Sequence, residues 1–221
     1  MPSQTFFNLS EAKRKAFLET AIEEFAGRDY ESASISRIVA TLGIAKGSVY
    51  QYFEDKRDLY LFLIDYAAKE RVAFVSGVPM PDPQQGFYRY TQWLLEMGVR
   101  FALEHPRLNQ LIYQAMFGTA PFRDDMLQRL RDSSLQLIRD VIAQGIAVGE
   151  IDPDIDLDMT TYLLNVITNE FGNYLASKLA IDPQRLLAGD QAQLDNDSLR
   201  SVYSKALDFV WHGLAKRSTA H

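Results

Sequence analysis

Apolar residues recur along this chain at intervals of three and four, and the pattern persists almost from end to end. Phe17, Leu18, Ala21, Ile22 and Phe25 share one helical face, opened by Ser10, a good N-cap, and stopped by Gly27. A second N-cap at Ser34 precedes Ile35, Ile38, Val39 and Leu42, and Gly43 ends that short helix. A third helix is predicted from Lys46 to about Phe53. A fourth starts near Asp55 and runs to about Val75, with Leu59, Phe62, Leu63 and Tyr66 on its apolar face. The stretch Ser76 to Pro83 (SGVPMPDP) is the clearest break in the pattern, with three prolines and a glycine. Beyond it, helical periodicity covers about 84–104, 107–117, 121–148, 157–179 and 194–216, separated by proline and glycine. No strand-like alternation interrupts the series, so the fold class read from the pattern is all-α with about nine helices.

Composition changes this picture mainly by exclusion. The 221 residues are 47% hydrophobic, enough for a sizeable core in one large or two smaller domains. There is no cysteine, which removes disulfide frameworks, thiolate catalysis and Cys-ligated metal sites, and fits a reducing compartment. The first residues lack a basic stretch followed by an apolar run, and no window approaches the ~18 consecutive apolar residues of a membrane span. A soluble, cytoplasmic chain without a membrane partner is expected. The net charge of −6 argues at first against nucleic acid. Divided along the chain, however, residues 1–60 hold eight Lys/Arg against nine Asp/Glu, and residues 61–221 hold fifteen against twenty. The front of the chain is close to neutral, and phosphate contact needs only a few well-placed cations.

Enzymatic chemistry finds little to stand on. His105, His212 and His221 are far apart and none sits in a metal-ligand spacing; there is no P-loop and no GxGxxG. The acidic run Asp152-Pro-Asp-Ile-Asp-Leu-Asp158 fails as a calcium loop, with Leu157 where glycine and Leu163 where glutamate are needed. Those aspartates suit the start of a helix instead. No catalytic residue, metal or cofactor is expected.

The compact pattern at positions 34–53 carries the functional signal. The second helix, the turn Leu42-Gly43-Ile44-Ala45 and the third helix match a helix-turn-helix. Gly43 stands where the chain must take a positive φ, and Ile44 is expected to plug the turn from beneath. Val49 and Phe53 would bury the inner side of the third helix. Its outer side then carries Lys46, Gly47, Ser48, Tyr50, Gln51 and Tyr52, a polar face suited to a major groove. Lys56 lies with the amides that open the next helix, a natural phosphate site. Arg37 either reaches a phosphate or pairs with Glu23 or Glu24.

The stretch from Ser34 through Tyr50-Gln-Tyr-Phe53 and Asp55-Lys-Arg-Asp-Leu59 resembles the N-terminal domain of TetR-family regulators, as does Phe25-Ala-x-x-x-Tyr30 in the first helix. The resemblance covers about residues 10–65. It implies a DNA-binding domain at 1–56 and an effector-binding and dimerisation domain at 57–221. It further implies that Ser34 and Ser36 touch phosphate, that Lys46, Gly47 and Ser48 approach bases, that Tyr50 and Tyr52 meet the backbone or thymine methyls, and that Lys56 holds a phosphate. Tyr52 is equally suited to packing.

By the same resemblance the protein is a ligand-responsive repressor, a homodimer on palindromic operator DNA, released by a small lipophilic effector. The dimer would form through about 157–179 and 194–216. There Leu163, Val166, Ile167, Phe171, Tyr174 and Leu175 on one helix, and Leu199, Val202, Tyr203, Leu207, Phe209, Val210 and Trp211 on the other, exceed what one core face needs. Trp93, Phe101, Tyr113, Phe117, Tyr162, Asn165, Asn169 and Phe171 are candidates to line an effector pocket. The alternative is a DNA-binding regulator without a small-molecule effector, controlled by a protein partner or by its own abundance.

Overall fold

Helices follow the apolar periodicity, and among the described residues there are ten. The computed structural model describes residues 2–82, 86–118, 120–122, 135–136, 138–180 and 196–214, with the backbone alone at several helical positions among them. The helices are α1 (Gln4–Phe7), α2 (Glu11–Ala26), α3 (Ile35–Leu42), α4 (Lys46–Tyr52), α5 (Lys56–Ser76), α6 (Phe87–Glu104) and α7 (Pro106–Phe117). They continue with α8, whose described helical residues are 135–136 and 138–147, then α9 (Leu157–Lys178) and α10 (Asn196–Leu214). The chain organises into two compact units, one of Met1–Ala73 with Arg107–Leu130, the other of Phe74–Pro106 with Arg131–His221.

In the first unit the inward residues of α2, α3, α4 and α5 converge on one core. Phe17, Phe25, Ile38, Val49, Phe53, Leu59, Leu63 and Ile64 are all buried there. Two contributions lie outside the expected residues 1–56. Leu59, Tyr60, Leu63 and Ile64 of α5 belong to this core, as do Leu111 and Ala115 of α7. Glu23 also pairs with Arg107, and Gln114 donates to the Ala26 carbonyl at 3.2 Å. The packing of α5 and α7 therefore extends this unit well past residue 56. Pro121 and Phe122 form a turn rather than opening a helix; the Phe122 ring meets Tyr30 edge-on at 4.7 Å.

The second unit is built around α6, which lies against α9 and α10. Phe87, Ile138, Ile142, Ile151, Leu164 and Val210 form one apolar cluster, and Val99, Leu103 and Leu175 another. The N-terminus of α6 is capped from a distance: the Phe87 N–H donates to the Glu150 carboxylate at 2.5 Å. Gly86 makes this possible, since its φ is +88° and a Cβ there would stand 2.7 Å from Glu150 Oε1. The acidic run is used as its spacing suggested. Asp156 caps α9 by accepting from the Met159 N–H at 2.9 Å, Asp152 accepts from the Asp154 N–H, and Asp158 pairs with Arg139. Among the described residues no group of acids and histidines is placed to hold a metal ion, and no helix is long and apolar enough to cross a membrane.

Candidate nucleic-acid interface

The helix-turn-helix forms where the sequence placed it. Gly43 ends α3 in the left-handed conformation, φ +63° and ψ +30°, and the Ile44 N–H returns to the Val39 carbonyl at 3.1 Å. Ile44 differs from expectation. It is exposed rather than tucked beneath the turn; Leu42 is the turn residue that packs against the core. Val49 and Phe53 are fully buried and fix the rotation of α4. Lys46, Gly47, Tyr50 and Gln51 are consequently exposed and Ser48 partly so. Half of the Tyr50 side chain is accessible. Among the described residues Lys46 has no ion-pair partner.

Tyr52 takes the packing option. Its ring lies against Phe6 and Phe17 at 6.0 and 5.8 Å, and it is only partly accessible. Phe6 belongs to α1, a single turn of helix that periodicity did not reveal. This turn braces the far end of α4: the Ser3 N–H donates to the Tyr52 carbonyl at 2.8 Å, and Ser3 Oγ to the Gln51 carbonyl at 2.5 Å. Two carbonyls left open by the end of α4 are thus satisfied from outside the helix. Phe6 itself is buried and also packs on Phe53 and Phe62 at 5.1 and 5.5 Å.

Glu24 holds the near end of the motif. Its side chain is 8% exposed, and one carboxylate oxygen accepts both the Ser34 N–H at 2.8 Å and Arg37 Nε at 2.8 Å. Arg28 approaches the other oxygen at 3.0 Å. Burial alone would raise the Glu24 pKa, but the bonds from Arg37 and Ser34 and the charges of Arg28 and Arg37 outweigh it, and the carboxyl is held below its ordinary value. Arg37 is thereby committed to Glu24 and to the Ser32 carbonyl. Ser34 is partly exposed and Ser36 exposed, both at the start of α3.

Lys56 opens α5, as expected, but its ammonium is already engaged. It donates to the Glu31 carbonyl at 3.1 Å and sits 4.5 Å above the Tyr30 ring. The amides beside it are also used. The Asp58 N–H donates to Asp55 Oδ1 at 2.7 Å, and the Glu54 N–H to Asp58 Oδ2 at 3.2 Å, so two carboxylates hold the amides around the start of α5. An ammonium has three donor hydrogens, so Lys56 retains donors beyond the one given to Glu31.

The expected pocket residues are divided between the two units. Tyr113 is partly buried on α7 in the first unit. On α6, Phe101 is fully buried between Phe74 and His105, while the Trp93 indole N–H is sealed from solvent with no partner among the described residues. On α9, Asn165 is buried, Tyr162 is exposed, and Phe171 stacks on Tyr174 at 6.0 Å. The side chains of Phe117 and Asn169 lie outside the described residues. The second unit has a narrow apolar crevice with little free space inside it. Its lining comes from α6 (Phe87, Tyr90, Thr91, Leu94, Leu95), α8 (Ile138, Val141, Ile142) and Leu164 of α9. Tyr90, whose ring lies 5.5 Å from Trp93, is where the expected set approaches it.

Known proteins agree with this architecture on both sides of the Ser76–Pro83 break. Residues 17–62 match the bacterial regulatory proteins of the tetR family, and residues 85–215 match the tetracyclin repressor-like C-terminal domain. A solved TetR family transcriptional regulator from Chloroflexus aurantiacus J-10-FL is 38% identical, with a TM-score of 0.85 over 98% of this chain and 100% of that one. The HTH-type transcriptional repressor AcnR of Corynebacterium diphtheriae is 26% identical over 75% of this chain and 82% of its own length. The HTH-type transcriptional regulator YuxN of Bacillus subtilis is 29% identical over 56% of this chain, a match that spans only 42% of that protein.

Proposed function

Because the chain belongs to the tetR family of transcriptional regulators and not to a family of enzymes, we propose that it is a repressor that binds palindromic operator DNA as a homodimer and leaves it on binding a small lipophilic effector. The observation that carries this reading is α4. Its inner residues Val49 and Phe53 are locked in the core, and Lys46, Gly47, Ser48, Tyr50 and Gln51 are left outward. A helix of this kind fits the major groove, with its N-terminal residues on base edges. Ser34, Ser36 and Lys56 stand at the starts of the flanking helices as phosphate contacts, and Tyr52 adds its accessible edge. AcnR, a relative over most of its length, is itself named a repressor.

Dimerisation is supported by what α9 and α10 leave uncovered. Met159, Tyr162, Leu163 and Tyr174 on α9 are half exposed or more, and Phe209 on α10 is 78% exposed. A two-fold dimer sets its two reading helices roughly 34–36 Å apart, one turn of DNA, which is why the operator should be a palindrome.

The test is operator selection from genomic fragments, followed by titration of Lys46→Ala and Tyr50→Ala on the selected site. Each substitution is expected to weaken specific binding by about 1–3 kcal/mol, roughly 5- to 150-fold, with the dimer and its melting temperature unchanged. Unchanged affinity in both variants would remove α4 as the reading helix.

A further inference from the structure

Two consecutive cations open α5, and each stands over an aromatic ring. The Lys56 ammonium lies 4.5 Å from the centre of the Tyr30 ring, and the Arg57 guanidinium 5.3 Å from the centre of the Phe122 ring. The two rings meet edge-on at 4.7 Å, and both lean on the buried Tyr60. Lys56 is held a second time, through its bond to the Glu31 carbonyl. Phe122 comes from far along the chain: it falls within the stretch that matches the C-terminal domain, yet it packs in the first unit. Packing alone would not select this arrangement. Tyr30 and Phe122 are only partly buried, and any bulky apolar side chain could cover Tyr60 there. Only a ring offers the negative face that attracts a cation.

We infer that Tyr30 and Phe122 form an aromatic seat that holds Lys56 and Arg57 in place to meet phosphates of the DNA backbone, so that the turn after α7 completes the DNA-binding surface. The inference rests on the reading of Lys56 as a phosphate contact. It adds Arg57 as a second contact and makes Phe122 a positioning residue. Both cations follow directly on α4, the reading helix. An ammonium carries three donors and a guanidinium five, so a cation resting on a ring face keeps N–H groups for phosphate oxygens. Long cationic side chains lose rotamer freedom when a phosphate fixes them. A seat that restricts them beforehand lowers that cost, and it does so whatever the base sequence. The seat also offsets the mutual repulsion of two adjacent positive charges, since each faces a separate ring.

The experiment measures binding of the full chain to the selected operator and to a duplex of arbitrary sequence, by fluorescence anisotropy between about 50 and 200 mM salt. Phe122→Leu keeps the apolar bulk and loses the ring face. It is expected to weaken binding to both duplexes alike, by about 3- to 10-fold, and to flatten the salt dependence by up to about one unit of slope for each cation released. In a chain already carrying Lys56→Ala and Arg57→Ala, the same substitution should change affinity less than about twofold, because the groups it positions are gone. Phe122→Tyr, which puts a ring face back under Arg57, should recover most of the loss. Three outcomes overturn the inference: Phe122→Leu binds as wild type does, it weakens binding equally with and without the two cations, or Phe122→Tyr binds no better than Phe122→Leu. The reading of α5 as a phosphate contact is judged separately. If Lys56→Ala with Arg57→Ala leaves binding unchanged, that reading falls and this inference with it. If the pair weakens binding and Phe122→Leu does not, only the inference falls.

Discussion

At the scale of the residue, Glu24 does the most with the least exposure. It anchors the amide of Ser34, the N-cap of α3, and holds Arg37 and Arg28 from within the core. Because its folded pKa lies below the unfolded value, its contribution is complete above the unfolded carboxylate range and is lost as pH falls through the depressed folded value. Glu24→Gln keeps an acceptor for Ser34 but removes the charge. At pH 7 it should lower unfolding stability by about 1–3 kcal/mol, and urea titrations at successively lower pH should show the gap to wild type closing below about pH 4. A gap that stays constant down to pH 3 would contradict this role for the carboxylate. The sequence offered Glu23 and Glu24 as equal partners for Arg37. Helical phase decides between them, since Glu24 faces the core and Glu23 turns to Arg107.

At the scale of the element, α3 and α4 were legible because each carries a whole-helix signal. In α3 apolar residues sit at a spacing of three, four and seven before a glycine that adopts positive φ. In α4 Val49 and Phe53 define the inner side. The single turn α1 was not legible, because four residues contain no period and its buried member, Phe6, reads as an ordinary aromatic near a chain end. The pocket is hard to read for a related reason: aromatic residues at helical spacing look the same whether they fill a core, as Phe101 does, or line a hollow, as Phe87 does. The brace formed by α1 is testable. Phe6→Ala removes a ring packed on Phe17, Tyr52, Phe53 and Phe62, and a loss of about 3–5 kcal/mol is expected in denaturant unfolding. Ser3→Ala keeps the ring and drops only the bond to the Gln51 carbonyl. It should cost about 1 kcal/mol or less in stability. Its expected mark is a smaller ratio of specific to non-specific DNA affinity, because α4 is held less firmly. If that ratio is unchanged in Ser3→Ala, the brace supports folding and not reading.

At the scale of the whole molecule, the question is whether the uncovered apolar residues of the second unit form one surface. On α9, Met159, Leu163 and Tyr174 fall within about 60° of one another around the helix axis, at 100° per residue, so they form a stripe rather than scattered exposures. Tyr162 flanks that stripe, while Leu164 and Leu175 turn to the core. Phe209 stands more exposed than any of them, on α10 beside the buried Val210. An aromatic ring left 78% accessible beside a folded core is costly to hydrate, and a second copy related by a two-fold would cover it. Introducing like charges on this surface, as Leu163→Glu with Phe209→Glu, should leave helix content intact and shift the sedimenting species from dimer to monomer. Binding to the full palindrome should then weaken by roughly 10²–10⁴-fold, because the second reading helix no longer adds its share. Affinity for an isolated half-site should barely change, which separates lost pairing from a damaged reading head. A wild-type chain that sediments as a monomer at micromolar concentration would instead leave the stripe without its proposed partner.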